Sequence, residues 1–278
     1  MSDSIPYTFY GQQIAMSDKI IHAFTSGEVR QLYAILLAQM QSGKSGTYLR
    51  VALECIHRGF FKKAYIICGS RDVALREQTK TSLTAAILTF VGEKSSSFAE
   101  GMSLMRTLES SIKVFWNQDL KGVEIGSDCL IINDESHVAQ SKGNIPYKQF
   151  WQKNGLENCL YGDFTPLRER NIRVLSVSAT SFSECVQNQK VVLGVEAEQD
   201  VALSTKNVFI MDPGPSYTGS GNFLRSGNIH FTSESISEKT GGEHLKRILM
   251  DPKYNNKYCI VRTARANLDS PLMLNIAE

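Results

Sequence analysis

The chain has 278 residues, with 30 lysines and arginines against 28 aspartates and glutamates, a formal charge of +2, and 42% hydrophobic residues. That composition belongs to a folded globular protein and excludes a disordered tail or a collagen-like repeat. The charge balance excludes a histone-like polycation but leaves room for a local basic stripe, and at about 150 residues per domain the length fits one large domain or two small ones.

The start, Met1-Ser2-Asp3-Ser4-Ile5-Pro6, is polar and lacks the regions of a signal peptide. No run approaches the roughly 20 apolar residues of a membrane span. An intracellular protein with no membrane partner is therefore expected. The six cysteines (Cys55, Cys68, Cys129, Cys159, Cys185, Cys259) form no Cys-x-x-Cys pair, so reduced buried thiols are expected rather than a zinc site or disulfides.

In chain order, Met16–Thr25 reads as helix. Leu32–Leu37 is a continuous apolar run; its place before a glycine-containing turn predicts a buried strand over Gln31–Leu37. Leu49, Ala52, Leu53 and Ile56 recur at helical spacing, predicting a helix over Ser45–Arg58 ended by Gly59. Ala64–Cys68 is a short strand and Asp72–Leu88 a helix. Strands follow at Ile112–Trp116, Cys129–Asn133 and Arg173–Val177. This alternation predicts an α/β fold with a mainly parallel central sheet flanked by helices. Beyond Val201 the texture changes. Val208–Met211 is strand-like, Asp212–Asn222 is a loop, Gly242–Met250 is a short helix and Tyr258–Arg262 is a last strand.

Ala38-Gln39-Met40-Gln41-Ser42-Gly43-Lys44-Ser45 fits a phosphate loop, with an apolar strand before it and a helix opening at its end. Backbone N–H groups of Gln41 to Gly46 would curl round a phosphate, helped by the helix N-terminus. Gly43 permits close approach, Lys44 would bridge the β- and γ-phosphates of ATP, and Ser45 would hold Mg²⁺. Two positions depart from the usual pattern: Ala38 stands where glycine opens it, and Gln41 stands where glycine is common.

Asn133-Asp134-Glu135-Ser136-His137 follows an apolar strand, at the strand end where α/β sheets bind ligands. Asp134 would bind Mg²⁺ through water and Glu135 would polarise the attacking water. Ser178-Ala179-Thr180 closes the next apolar strand, which puts its hydroxyls within reach of His137. Trp116 and Trp151 read as packing residues, and Lys62-Lys63 as a solvated face.

The order Ala-Gln-x-x-Ser-Gly-Lys-Ser, Asp-Glu-Ser-His, Ser-Ala-Thr resembles the first RecA-like lobe of superfamily 2 helicases of the DExH type. The wording is similar to helicase-like ATPases of phages, large DNA viruses and mobile elements. The resemblance covers about residues 12–180. It implies an ATP-driven motor on DNA or RNA in which Glu135, Lys44 and His137 serve catalysis and Ser178 and Thr180 couple the nucleotide to movement. Gly69-Ser70-Arg71 with Leu75 and Gln78 looks like the family's motif Ia, with Gly69 in place of its proline. By that likeness Arg71 and Gln78 would touch the nucleic-acid backbone. Gln12 or Gln13 corresponds to the glutamine that reads adenine in many members.

Such motors have two lobes, and the second supplies an arginine finger from a Gln-x-x-Gly-Arg-x-x-Arg-like motif that this chain lacks; Arg262 and Arg265 stand in the wrong context for it. The expectation is a first lobe over 1–210, a connecting region over 211–255 and the beginning of a second lobe over 256–278. A further lobe or a partner subunit would complete the site. The loop at 212–222 is a connector or, in a sharper reading, places Tyr217 to stack on a base. A kinase or GTPase is disfavoured by Ser-Ala-Thr, by His137 and by the lack of Asn-Lys-x-Asp. A non-catalytic nucleic-acid-binding or assembly subunit on a helicase-lobe scaffold is the alternative.

Overall fold

A computed structural model describes residues 7–26, 31–39, 42–69, 73–138, 142–179 and 207–214, together with 247 and 250. The chain divides into two units, Met1–Tyr217 and Thr218–Glu278. The elements below all lie in the first.

Helix α1 (Gly11–Thr25) precedes strand β1 (Tyr33–Ala38), which leads through the phosphate loop into α2 (Lys44–His57). Then come β2 (Lys63–Cys68), α3 (Val73–Lys94), α4 (Phe98–Ser111) and β3 (Ile112–Trp116). After β4 (Cys129–Asp134) the chain makes short helical turns, a five-residue helix α5 (Thr165–Glu169), β5 (Ile172–Ser178) and β6 (Val208–Met211). The six strands form one sheet in the order β3-β2-β4-β5-β1-β6. Every neighbouring pair is parallel. The α/β fold with a parallel central sheet expected from the sequence is the observed one.

The sheet is buried on both faces, which is why its strands read as unbroken apolar runs rather than alternating ones. The period of two still sorts the side chains. Ala34, Leu36, Leu130, Ile132, Leu175 and Val177 face a core built with the first four helices. Tyr33, Ile35, Ile131 and Val174 face a second core filled by Tyr147, Phe150, Trp151, Leu160 and Phe164. Connections from β1 outward to β3 thus run over one face, and the segments returning from β3 to β5 run over the other. This is the division that a single crossover hand imposes on a parallel sheet.

The expected elements fall close to their observed bounds, with three differences. Helix α1 begins at Gly11 rather than Met16, because Tyr10 and Gln13 cap it reciprocally. Helix α3 runs six residues past the expected end, to Lys94. Helices α4 and α5 have no counterpart among the expected elements. Trp116 and Trp151 are buried, and Cys55, Cys68, Cys129 and Cys159 are free and buried. Burial pushes the thiols of Cys55, Cys129 and Cys159 up to about 12, which leaves them unreactive. Lys62 lies on the surface paired with Asp128 at 2.7 Å. Among the described residues no helix is long and apolar enough to cross a membrane. Of the helix expected over Gly242–Met250, Arg247 is helical. Tyr217 and the strand expected over Tyr258–Arg262 lie outside the described residues.

Candidate functional site

Parallel pairing brings several strand ends to one edge of the sheet. Leu37 is in register with Ser178, Asp134 with Val177 and with Cys68, and Ala38 with Met211. The phosphate loop leaves β1 at this edge. Ser42 folds back on Gln39, its hydroxyl donating to the Gln39 carbonyl at 2.7 Å. Gly43 is left-handed (φ +92°), the conformation glycine adopts without penalty, and caps α2 so that Lys44 opens the helix.

Gln13 braces this loop from α1. Its side-chain oxygen accepts from the Tyr10 backbone N–H at 2.9 Å, and its Nε2 donates to the Gly43 carbonyl at 2.9 Å. A Cβ at Gly43 would stand 2.6 Å from Gln13 Nε2, and one at Gly46 would run directly into the same side chain. Gly46 is therefore required by close packing against Gln13. Gln13 is buried, and both ends of its amide are engaged.

The carboxylates converge on Lys44. Its Nζ lies 3.3 Å from Asp134 Oδ1 and is hydrogen-bonded to Glu135 Oε1. Burial opposes charge on Lys44, but Asp134 and Glu135 outweigh it and hold the ammonium above its ordinary pKa. Burial pushes the Asp134 carboxyl above its ordinary value, partly offset by Lys44. Glu135 is itself left-handed, with φ +54°. The turn that follows sets His137 Nδ1 3.3 Å from Ser178 Oγ and 3.5 Å from Glu135 Oε2. Among the described residues, Lys44 and His137 alone pair with these two carboxylates.

The structure thus brings together Ser42, Gly43, Lys44, Ser45, Gly46, Asp134, Glu135, His137 and Ser178. Gln78, expected to meet nucleic acid, lines a cleft of about 400 Å³ together with Gln13, Gly43, Ser45 and Gly46, beside the phosphate loop. Among the described residues, that cleft has no lysine or arginine in its lining. Gln41, Arg71 and Thr180 lie outside the described residues.

Sequence reasoning missed Tyr48. Its hydroxyl lies 3.4 Å from Asp134 Oδ2. Burial, then the nearby Asp134 charge, raise its pKa well above the ordinary value. The available signal was its place three residues after Ser45, on the same helix face.

The donor set of Ser45 hydroxyl and Asp134 carboxylate is all oxygen, which suits Mg²⁺. No group of three or more His, Cys, Asp or Glu among the described residues would hold a metal unaided.

No family model matches the chain, and no curated protein matches it. Among solved structures it is similar to the Sulfolobus solfataricus SWI2/SNF2 ATPase core in complex with dsDNA, at 11% identity and a TM-score of 0.44. That match covers 98% of this chain and 58% of the other. The Aeropyrum pernix ORC1 protein in complex with DNA is similar at 12% identity and a TM-score of 0.29, over 98% of this chain and 66% of that one. The chain thus spans less than two thirds of either.

Proposed function

We propose that this chain is the ATP-binding and hydrolysing lobe of a superfamily 2 DExH-type helicase or translocase acting on DNA or RNA. The observation that carries the reading is the pairing of the phosphate-loop Lys44 with both Asp134 and Glu135 across adjacent strand ends. His137 against Ser178 supports the DExH form of it.

ATP enters with its phosphates against Gly43 and the N-terminus of α2. Lys44 leaves the carboxylates for the β- and γ-phosphates. Glu135 then accepts a proton from the water that attacks the γ-phosphorus, and ADP leaves as the bond to its oxygen breaks. Ser45, and Asp134 through water, would hold Mg²⁺, which neutralises charge on the phosphates. His137 and Ser178 link the site of proton transfer to the end of β5, and by the family resemblance Arg71 would touch the nucleic-acid backbone.

Titration with a fluorescent ATP analogue tests this. The wild type binds in the presence of Mg²⁺, and Lys44→Ala weakens binding roughly 10- to 100-fold, the worth of a hydrogen bond between charged groups. Nucleotide affinity that changes when single-stranded DNA or RNA is added separates this reading from a kinase. Binding equal in wild type and Lys44→Ala overturns it.

A further inference from the structure

We infer that Tyr48 is a positioning residue for the magnesium shell, its hydroxyl holding Asp134 so that the carboxylate stays aimed when Lys44 moves to the phosphates. This rests on the ATPase reading above.

The Tyr48 ring is 1% exposed and belongs to the core between α2 and the sheet. Phenylalanine would fill that space as well, so the hydroxyl is what needs explaining. A buried hydroxyl costs free energy unless it is bonded, and this one faces the Asp134 carboxylate that ends β4.

The Asp134 carboxylate is held at both oxygens by different groups. Oδ1 faces Lys44 at 3.3 Å and accepts from the Glu135 backbone N–H at 3.1 Å. Oδ2 faces the Tyr48 hydroxyl at 3.4 Å. That last distance is long for O–H···O, so the bond is weak while Lys44 shares the carboxylate's charge. Once Lys44 turns to a phosphate, the Asp134 charge is less neutralised. Tyr48 is then the one side-chain donor remaining to it among the described residues. The phenol keeps the carboxylate from rotating. Groups behind a metal's ligands act in this way, by orienting the ligands rather than touching the ion.

The test measures equilibrium affinity for a fluorescent ADP analogue, in Mg²⁺ and in EDTA, for wild type, Tyr48→Phe and Lys44→Ala. Tyr48→Phe is expected to bind in EDTA within about 2-fold of wild type and to lose about 10-fold of the Mg²⁺-dependent gain. Its melting temperature monitors the fold. An unchanged Mg²⁺-dependent gain in folded Tyr48→Phe overturns the proposal, as does an equal loss in Mg²⁺ and EDTA, which marks a purely structural role. If Tyr48→Phe does not fold, Tyr48→Leu takes its place with the same two outcomes. Wild-type binding that is insensitive to Lys44→Ala overturns the ATPase reading itself, and is thereby told apart from a failure of the Tyr48 assignment alone.

Discussion

Lys44 has two sets of partners. In the free protein it neutralises Asp134 and Glu135; under the proposed function a bound nucleotide would draw it to phosphate instead. The carboxylates therefore compete with the ligand. The Glu135 side chain is 33% exposed, so solvent limits its hold on Lys44 to about 1 kcal/mol. Removing the charge but not the shape in Glu135→Gln is expected to bind ATP up to roughly 5-fold more tightly, while turnover falls at least about 100-fold. Parallel binding and single-turnover measurements check the two effects, and weaker binding in Glu135→Gln would contradict the competition. Lys44, Asp134, Glu135 and Ser178 were legible in the sequence because each sits at the end of a recognisable apolar strand or in a loop of fixed spacing. Tyr48 and the bracing amide of Gln13 were not, because their contacts depend on how α1, α2 and β4 pack.

Helix α2 is buried on nearly every side, which its sequence disguises with charges. Glu54 is 1% exposed, with Arg50 at 3.4 Å, Arg58 at 2.8 Å and Lys94 at 2.9 Å. The Arg50 guanidinium sits 5.1 Å from the Phe9 ring centre and 5.9 Å from that of Phe90. Burial alone would raise the Glu54 pKa, but Lys94 and Arg58 hold it below the ordinary 4.5. A carboxyl lowered in the folded state stabilises fully above its unfolded pKa and loses that contribution as pH falls through the folded one. Asp134, raised by burial, acts with the opposite sign. Glu54→Gln is accordingly expected to cost about 3 kcal/mol at neutral pH, as removal of one partner from a buried ion pair does. The acid limb of its stability curve should be shallower between about pH 5 and pH 3, which urea melts at a series of pH values would show. The strands were legible at this scale because burial on both faces leaves unbroken apolar runs. Helix α4 escaped although Ser97 and Glu100 spell a capping box, with Ser97 Oγ accepting from the Glu100 N–H at 3.3 Å. The turns between 145 and 170 carry no single period, and only their packing on the second face of the sheet organises them.

For the molecule as a whole, the proposed reaction calls for an arginine finger from a second lobe. Among the described residues the cleft beside the phosphate loop has no basic side chain in its lining, and Lys44 and His137 are the cations at the carboxylates. A missing arginine finger costs about 10³–10⁵-fold in rate. We therefore expect the purified chain to turn ATP over well below about 1 s⁻¹, with or without nucleic acid, and not to unwind a duplex. A coupled-enzyme assay measures this directly. Faster turnover stimulated by DNA or RNA would mean that the chain supplies its own finger. The parallel α/β sheet was legible from alternation alone, whereas the division of the connections between its two faces became visible only with the strand order.

The left-handed backbone of Glu135 sets reactivity against endurance. A side chain at φ +54° costs roughly 1–2 kcal/mol, which glycine would not pay, so the protein carries a standing local strain at the residue proposed to activate water. Comparing Glu135→Gly with Glu135→Ala isolates it, because both lose the carboxylate and only one relieves the backbone. The glycine form should melt about 2–4 °C above the alanine form, by calorimetry, and both should be inactive. A laboratory selecting this chain for heat resistance alone would then be drawn toward erasing the carboxylate proposed to do its chemistry.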